Sequence, residues 1–242
     1  RGPVGDRRHV QTVNHRRKIA NRKSSQFHDT CKKISLGAKM HHNLITQPYN
    51  TPTKCYLMFD ERMTLHVPPP GSNFPIEDTD AGPFERSSRI TSIYNHLLRV
   101  EDSLLKQHNK IMKPSRFVKL SPTACPRSTV LLAHTSGYYD SLLRTASMSD
   151  AELKRLSEQD SDLYFCRDTF LAATLAAGGV VDCCDKVLSG VGPTRIVYTL
   201  NTHPGHHAAN DAFGGYCYLN TAGFAARKMQ EAGYNRVCIL SN

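Results

Sequence analysis

The chain has 242 residues, 39% of them hydrophobic, which suffices for one large domain or for a domain with a tail. No apolar run approaches the roughly 18 residues of a membrane span, and no apolar core of a signal peptide is visible. The eight cysteines include no CxxC pair, which favours free thiols in a reducing compartment over disulfides. These features predict a soluble intracellular protein that does not use the membrane as a partner.

The formal net charge of +10 belongs entirely to the first segment of the chain. Residues 1–54 contain twelve Lys or Arg against two Asp, whereas the two signs balance in the rest. Because residues 1–53 also lack apolar periodicity, we expect a basic disordered arm there. Such an arm suits nuclear import, nucleic-acid contact or an organelle transit peptide, and a solvated tail without a partner fits it as well. The expected location is therefore the nucleus, the cytoplasm or both, with organelle targeting left open.

After this arm the apolar pattern predicts a series of short elements. Residues 54–59 form an apolar run typical of a strand. Apolar residues then recur at helical spacing, which predicts a helix from residue 85 to about residue 105. Residues 117–120 and 129–133 fit strands or loops, and residues 138–144 fit a short helix.

The second half of the chain carries stronger signals. Ser149 and Glu152 have the spacing of a capping box and predict the start of a helix. Residues 168–188 predict a long buried helix, because its middle is apolar or small on almost every side. Residues 195–200 and 236–240 read as interior parallel strands around a helix at 220–232, and this order predicts a right-handed βαβ unit.

Two adjacent histidines, His206 and His207, follow the first of those strands behind a Pro204-Gly205 turn. Histidine is the side chain best suited to proton transfer near neutral pH, and a pair can divide the work between a base and an electrostatic partner. An ordinary polar turn is the alternative interpretation of such a pair. Ligands of parallel sheets bind beyond the carboxyl ends of the strands, which favours a functional loop here.

A longer pattern surrounds the two histidines. Residues 202–208 read THPGHHA, and Asp211, the run GYCYLN at 215–220 and the alanine-rich AGFAARKMQEAG follow. This pattern resembles the zinc-dependent deacetylase family, which includes histone deacetylases and acetylpolyamine amidohydrolases. Weaker similarities lie upstream, and residues 162–166 resemble the class II branch. The resemblance implies an arginase-like α/β fold over residues 54–242, with three layers and a mainly parallel sheet covered by helices on both faces.

Four residues of the loop take roles from this resemblance. His206 looks like the histidine beside the metal-bound water, and His207 like its neighbour, the general base and acid. Gly215 and Tyr216 resemble the glycine and the aromatic wall of the tunnel that receives the acyl-lysine stem. An apolar slot suits that stem, because it buries the four methylenes of lysine.

Acidic residues complete the set that the resemblance implies. Either Asp160 or Asp162 is similar to the rim acid that grips the substrate backbone, with a solvated turn as the alternative for each. Asp211 matches an acid that supports the site from behind. The implied cofactor is Zn²⁺, with ligands expected after residue 240. Ser241 stands in place of the Asp that, in the family, usually orients a catalytic histidine. We therefore expect the chain to be the N-terminal part of a catalytic domain, incomplete at its C-terminus, without metal ligands and inactive alone.

The implied reaction is metal-assisted hydrolysis of acetyl-lysine in histones or other proteins. A second possibility is an acetylpolyamine amidohydrolase, favoured by the sequence of residues 214–217. A third is a catalytically inactive scaffold that recruits partners or nucleic acid through its basic arm. The chain also departs from the family pattern at Thr202 and His203, which replace the usual Arg-Pro.

Overall fold

The computed structural model describes residues 54–70, 74, 86–107, 116–159, 162–190 and 196–240. The sequence predictions for the arm at 1–53, for Asp160 and for Ser241 lie outside these ranges.

A parallel sheet of three strands forms the centre of the described fold. The strands are β1 (Cys55–Met58), β2 (Phe117–Leu120) and β3 (Val197–Thr199). β1 lies in the middle, with Tyr56 opposite Val118 of β2 and Val197 of β3. The predicted first strand is confirmed, and residues 117–120 form a strand rather than a loop.

Six α-helices and two short 3₁₀ helices are found in the described residues. The α-helices are α1 (Ser87–Gln107), α2 (Arg127–Val130), α3 (Ser136–Arg144), α4 (Asp150–Ser157), α5 (Thr169–Leu188) and α6 (Thr221–Glu231). The 3₁₀ helices are Glu61–Leu65 and Thr145–Ser147. None of the described helices is long and apolar enough to span a membrane.

Helices cover both faces of the sheet. On one face the ring of Phe59 stacks on Tyr94 of α1, with 4.3 Å between the centroids. On the other, a Cβ at Gly179 of α5 would lie 2.4 Å from the side chain of Met58. Because successive strand residues point to opposite faces, α1 and α5 sandwich the sheet. The expected layered α/β fold is confirmed.

Helix α5 joins two hydrophobic clusters, which explains its apolar composition. Leu175 and Cys183 belong to the cluster on the sheet. Ala173 and Val181 belong to a second cluster with residues of α3, α4 and α6. A Cβ at Gly178 would lie only 1.7 Å from the Thr123 carbonyl oxygen, so glycine is required for this close approach. The prediction of a long buried helix is confirmed.

Local signals predicted helix boundaries well. The capping box is present, since the Glu152 N–H donates to Ser149 Oγ at 3.4 Å and the Ser149 N–H donates to Glu152 Oε2 at 2.8 Å. Gly190 and Gly233 follow α5 and α6 with positive φ angles of 63° and 91°. This left-handed backbone favours glycine at a helix end.

Three expectations about strands are corrected by the described structure. Residues 129–133, expected as a strand or a loop, overlap the end of the short helix α2 and continue as a turn rather than as a strand. β3 is not interior here, because within the described residues it pairs only with β1 and leaves Tyr198 48% exposed. Residues 236–240 form no strand and are all exposed. An apolar run becomes a strand only where a neighbour completes its hydrogen bonds, so the second half of the expected βαβ unit is absent from the described part.

Candidate functional site

The loop between β3 and α6, residues 201–220, carries both predicted histidines and is called the histidine loop below. His206 and His207 are exposed, whereas their neighbours Gly205 and Ala208 are buried. The two imidazole rings meet edge to face, with 4.2 Å between their centroids. The structure thus presents two adjacent histidines to solvent from a loop with a buried base.

The Pro204-Gly205 turn is fixed by contacts that only glycine allows. Gly205 has a φ of 99°, and a Cβ there would lie 2.2 Å from Thr221 Oγ1 and 2.8 Å from the Thr221 backbone nitrogen. The Thr221 hydroxyl donates to the Pro204 carbonyl at 3.0 Å. The start of α6 therefore holds the turn that presents the histidines.

Cys217 connects the two arms of the loop. Its buried sulfur accepts a hydrogen bond from the Gly205 N–H at 3.0 Å. The same thiol donates to the Gly215 carbonyl at 3.2 Å. A single side chain thereby fixes the histidine turn relative to the glycine that the resemblance places at the substrate tunnel.

The histidine loop brings Gly215 directly against His207. A Cβ at Gly215 would lie 2.5 Å from His207 Cδ2 and 2.8 Å from Cγ, so the ring occupies the space that any other residue would need. Gly215 has a φ of 47°, and Tyr216, half-buried, has a φ of 60°. Among the described non-glycine residues only Tyr216 has a positive φ, and such residues concentrate at functional sites.

The two predicted acids that the structure describes are both at the surface. Asp211 lies on the histidine loop but is exposed, as is Asp162. Their supporting and rim roles remain predictions.

Sequence reasoning missed a buried pair of histidines, His66 and His203, at the base of the histidine loop. His203 is 2% exposed, and its ring centroid lies 4.5 Å from that of His66 and 4.4 Å from that of Tyr218. Burial lowers the pKa of His66 to about 3. Burial, with smaller effects of His66 and Arg89, lowers the pKa of His203 well below its usual value. The sequence marked His203 only as a departure from the family pattern and gave no signal for His66.

Both histidines are held neutral inside an aromatic environment. The His66 ring stacks on Tyr164 with 4.4 Å between centroids, and its Nδ1 lies 3.2 Å from Thr169 Oγ1. His203 Nε2 is buried and has no hydrogen-bond partner in the described part of the chain. A protonated ring at this position would be costly, because a buried charge needs a partner.

A cavity of about 610 Å³ lies at the carboxyl end of β3, beside the base of the histidine loop. Asn201 and Pro204 line it from the loop, and Arg89 from α1. The Arg89 guanidinium donates to the Asn201 carbonyl at 2.7 Å and so ties α1 to the loop. The cavity lies where ligands of parallel α/β sheets commonly bind.

The described residues do not supply a metal site. No group of three or more His, Cys, Asp or Glu side chains among them is arranged to hold a metal ion. His206 and His207 are too few to form the three-ligand set of a catalytic zinc.

Comparison with known proteins agrees with this architecture. Residues 83–241 match the histone deacetylase domain. The chain is 29% identical over 184 residues to histone deacetylase HDA1 of Saccharomyces cerevisiae, a match that covers 74% of this chain and 25% of the yeast protein. It is 36% identical over 110 residues to polyamine deacetylase HDAC10 of Rattus norvegicus, covering 45% of this chain and 18% of the rat protein.

A solved structure extends the similarity to the fold. The crystal structure of the HDA15 HD domain matches with a TM-score of 0.57 and 26% identity, over 74% of this chain and 44% of that one. The chain thus spans less than half of the structure and about a quarter or less of the two curated relatives. The family match covers more than half of the chain, and the protein belongs to the histone deacetylase domain family.

Proposed function

We propose that the complete protein is a zinc-dependent amide hydrolase that removes acetyl groups from lysine side chains of histones or other proteins. The observation that carries this proposal is the contact between the His207 ring and Gly215. It supports the proposal because an exposed imidazole lies against Gly215, the residue to which the family resemblance gives a role in the substrate tunnel. A proton acceptor beside a slot for an acyl-lysine stem is the arrangement that hydrolysis of this amide requires.

His207 is the general base and acid in this proposal. It accepts a proton from the attacking water while a bond forms between the water oxygen and the acetyl carbon. When the carbon–nitrogen bond breaks, His207 returns the proton to the departing lysine amine. His206, whose ring centroid lies 4.2 Å from that of His207, is the electrostatic partner of His207 while that residue gains and loses the proton.

Gly215 and Tyr216 form the part of the substrate wall that belongs to the histidine loop. The absence of a side chain at Gly215 leaves the space that the His207 ring fills. Tyr216 offers a half-buried aromatic surface for the methylenes of lysine. Asp160 or Asp162 is proposed at the rim, where a carboxylate would accept hydrogen bonds from the substrate backbone.

Zn²⁺ is part of the proposal through the family resemblance alone. The described residues lack a ligand set for it, so no step above depends on a residue of this chain binding the metal. Metal analysis of the full-length protein tests this point, with about one Zn²⁺ per chain expected.

Hydrolysis of acetylated polyamines is the second candidate. It is favoured by the 36% identity to a relative named polyamine deacetylase, against 29% for the one named histone deacetylase. The latter match extends over more of the chain, 74% against 45%, and we therefore rank protein substrates first. The basic arm at 1–53 is proposed to contact an import receptor or nucleic acid, which would place the protein in the nucleus at least part of the time.

The test compares two substrates and two histidine variants in the full-length protein. We expect hydrolysis of an acetyl-lysine histone peptide to exceed that of acetylputrescine. His207→Ala should lower kcat by about 100-fold or more, the usual contribution of a general base. His96→Ala, an exposed change on α1, serves as the control. The proposal fails if His207→Ala retains full activity, and the opposite substrate order would favour the second candidate.

A further inference from the structure

His134, between α2 and α3, is held in one orientation by aromatic packing. It is 4% exposed. Its ring stacks on Tyr138 with 4.8 Å between centroids and 16° between planes. Phe224 of α6 meets the same ring edge on, at 5.7 Å. The ring therefore bridges α3 and α6, and these contacts oppose its rotation.

The polar atoms of this ring face the histidine loop. His134 Nε2 accepts a hydrogen bond from the Asn220 N–H at 2.9 Å, so it carries no proton. Burial lowers the pKa of His134, while the carbonyls of Asn210 and Ala209 act in the opposite direction. Burial is the larger effect, which favours the neutral ring that can act as an acceptor.

Asn220 links His134 to Ala208, the residue that follows His207, through hydrogen bonds. Its amide nitrogen Nδ2 donates to the Ala208 carbonyl at 2.9 Å. Its Oδ1 accepts from the Gly223 N–H at 2.8 Å and caps α6. The next residue after His134 adds a second attachment, since the Thr135 N–H donates to the Asn210 carbonyl at 2.9 Å.

We propose that His134 is a positioning residue, whose neutral ring holds Asn220 and through it the segment that carries His206 and His207. It touches neither histidine and acts through the backbone of the loop. Without His134, the Asn220 N–H loses its hydrogen-bond acceptor, and the His207 ring is less firmly held against Gly215. The effect on catalysis rests on the proposed function, whereas the effect on the loop does not.

Two variants of the full-length protein separate the hydrogen bond from the packing. His134→Phe keeps an aromatic ring between Tyr138 and Phe224 but removes the acceptor. His134→Gln supplies an oxygen acceptor for the Asn220 N–H without a ring. His96→Phe, on the exposed side of α1, is the matched control. Hydrogen exchange of the segment 208–220 and the kinetic constants for an acetyl-lysine peptide are measured for each.

We expect His134→Phe to speed amide exchange of this segment by about tenfold, the effect of losing one hydrogen bond. We also expect it to lower kcat by about tenfold or more while KM stays the same, because the position of a proton acceptor affects the reaction step more than substrate binding. His134→Gln should keep both quantities close to those of the unaltered protein.

Unchanged exchange in His134→Phe would overturn the proposal, as would a glutamine variant that behaves like the phenylalanine variant. If the unaltered protein hydrolyses neither acetyl-lysine nor acetylputrescine, the proposed function fails. The exchange measurement still decides on the role of His134 in that case.

Discussion

The histidine loop and residues 236–240 both adjoin α6, but the first is fixed by contacts and the second is exposed. The loop has little regular structure, yet its base is buried and several side chains donate to or accept from its backbone. Residues 236–240 include Val237, Ile239 and Leu240, yet each is exposed, Leu240 to 93%. Hydrophobic composition alone would have predicted that residues 236–240 are buried and that the histidine loop is exposed.

The difference shows what fixes a segment in this fold. Backbone groups of the loop find partners in Cys217, Asn220 and Thr221, each close in the chain or at the start of α6. Residues 236–240 have apolar side chains but no strand beside them among the described residues. Apolar character stabilises a segment only where it is removed from water, and a strand also needs a partner for its N–H and C=O groups.

Among the single substitutions, Gly205→Ala should have the largest effect on stability. Gly205 and Gly233 share a positive φ, 99° and 91°, but a Cβ at Gly205 meets Thr221 whereas a Cβ at Gly233 has open space. We expect a loss of about 3 kcal/mol in the free energy of unfolding for Gly205→Ala, from strain and overlap together. Gly233→Ala should cost only about 1 kcal/mol, the backbone part. Equal losses in denaturant titrations would show that the loop is not tightly packed.

Acid should destabilise the base of the histidine loop. Because the pKa values of His66 and His203 are lowered in the folded protein, their neutral forms contribute stability above the unfolded pKa of about 6.5, and that contribution is lost as pH falls below it. At about pH 5 we expect a loss of about 2 kcal/mol for each histidine that stays neutral.

The variant His203→Phe should reduce this pH dependence, since it keeps an aromatic ring and removes one titrating group. Thermal unfolding from pH 7 to pH 5 measures the effect. An unchanged slope would mean that His203 is not buried as described. His96→Phe, which removes an exposed histidine of α1, is the control.

Cys217→Ala should have a smaller effect, about 1 to 2 kcal/mol, because it leaves the Gly205 N–H and the Gly215 carbonyl without their shared partner. Cys217→Ser, which keeps a donor and an acceptor, should recover part of that loss. Cys238→Ala is the matched control outside the loop, where the thiol is exposed. Chemical denaturation of the three variants provides the measurement, and equal stabilities would exclude Cys217 as a link.

Polar changes in residues 236–240 should have the smallest effect. In the 242-residue chain, Leu240→Ser removes a side chain that is already in water, so we expect less than about 0.5 kcal/mol. A loss above about 1 kcal/mol would indicate that Leu240 is covered and would remove the contrast between the two regions.

The sequence predicted those features that depend on near neighbours. The capping box of Ser149 and Glu152, the buried length of α5 and the glycine after α6 all follow from residues within a few turns of each other. Most of the predicted site residues came from a resemblance over one continuous loop, and Asp160 and Asp162 came from a weaker similarity upstream. Periodicity failed for residues 236–240 because strand formation depends on a distant partner, and it gave no signal for the pairing of His66 with His203, which are far apart in the chain.

We propose that Gly215 leaves the room that the His207 ring needs at the proposed hydrolytic site. The most direct test is acetyl-lysine hydrolysis by full-length Gly215→Ala, with Gly137→Ala as the control, since a Cβ at Gly137 meets nothing within 4 Å. We expect kcat to fall by about 100-fold or more, the contribution of a general base, because the ring must move. The exposed ring can turn away, so stability should fall by only about 1 kcal/mol. Full activity in Gly215→Ala would show that hydrolysis does not depend on the position of the His207 ring against Gly215.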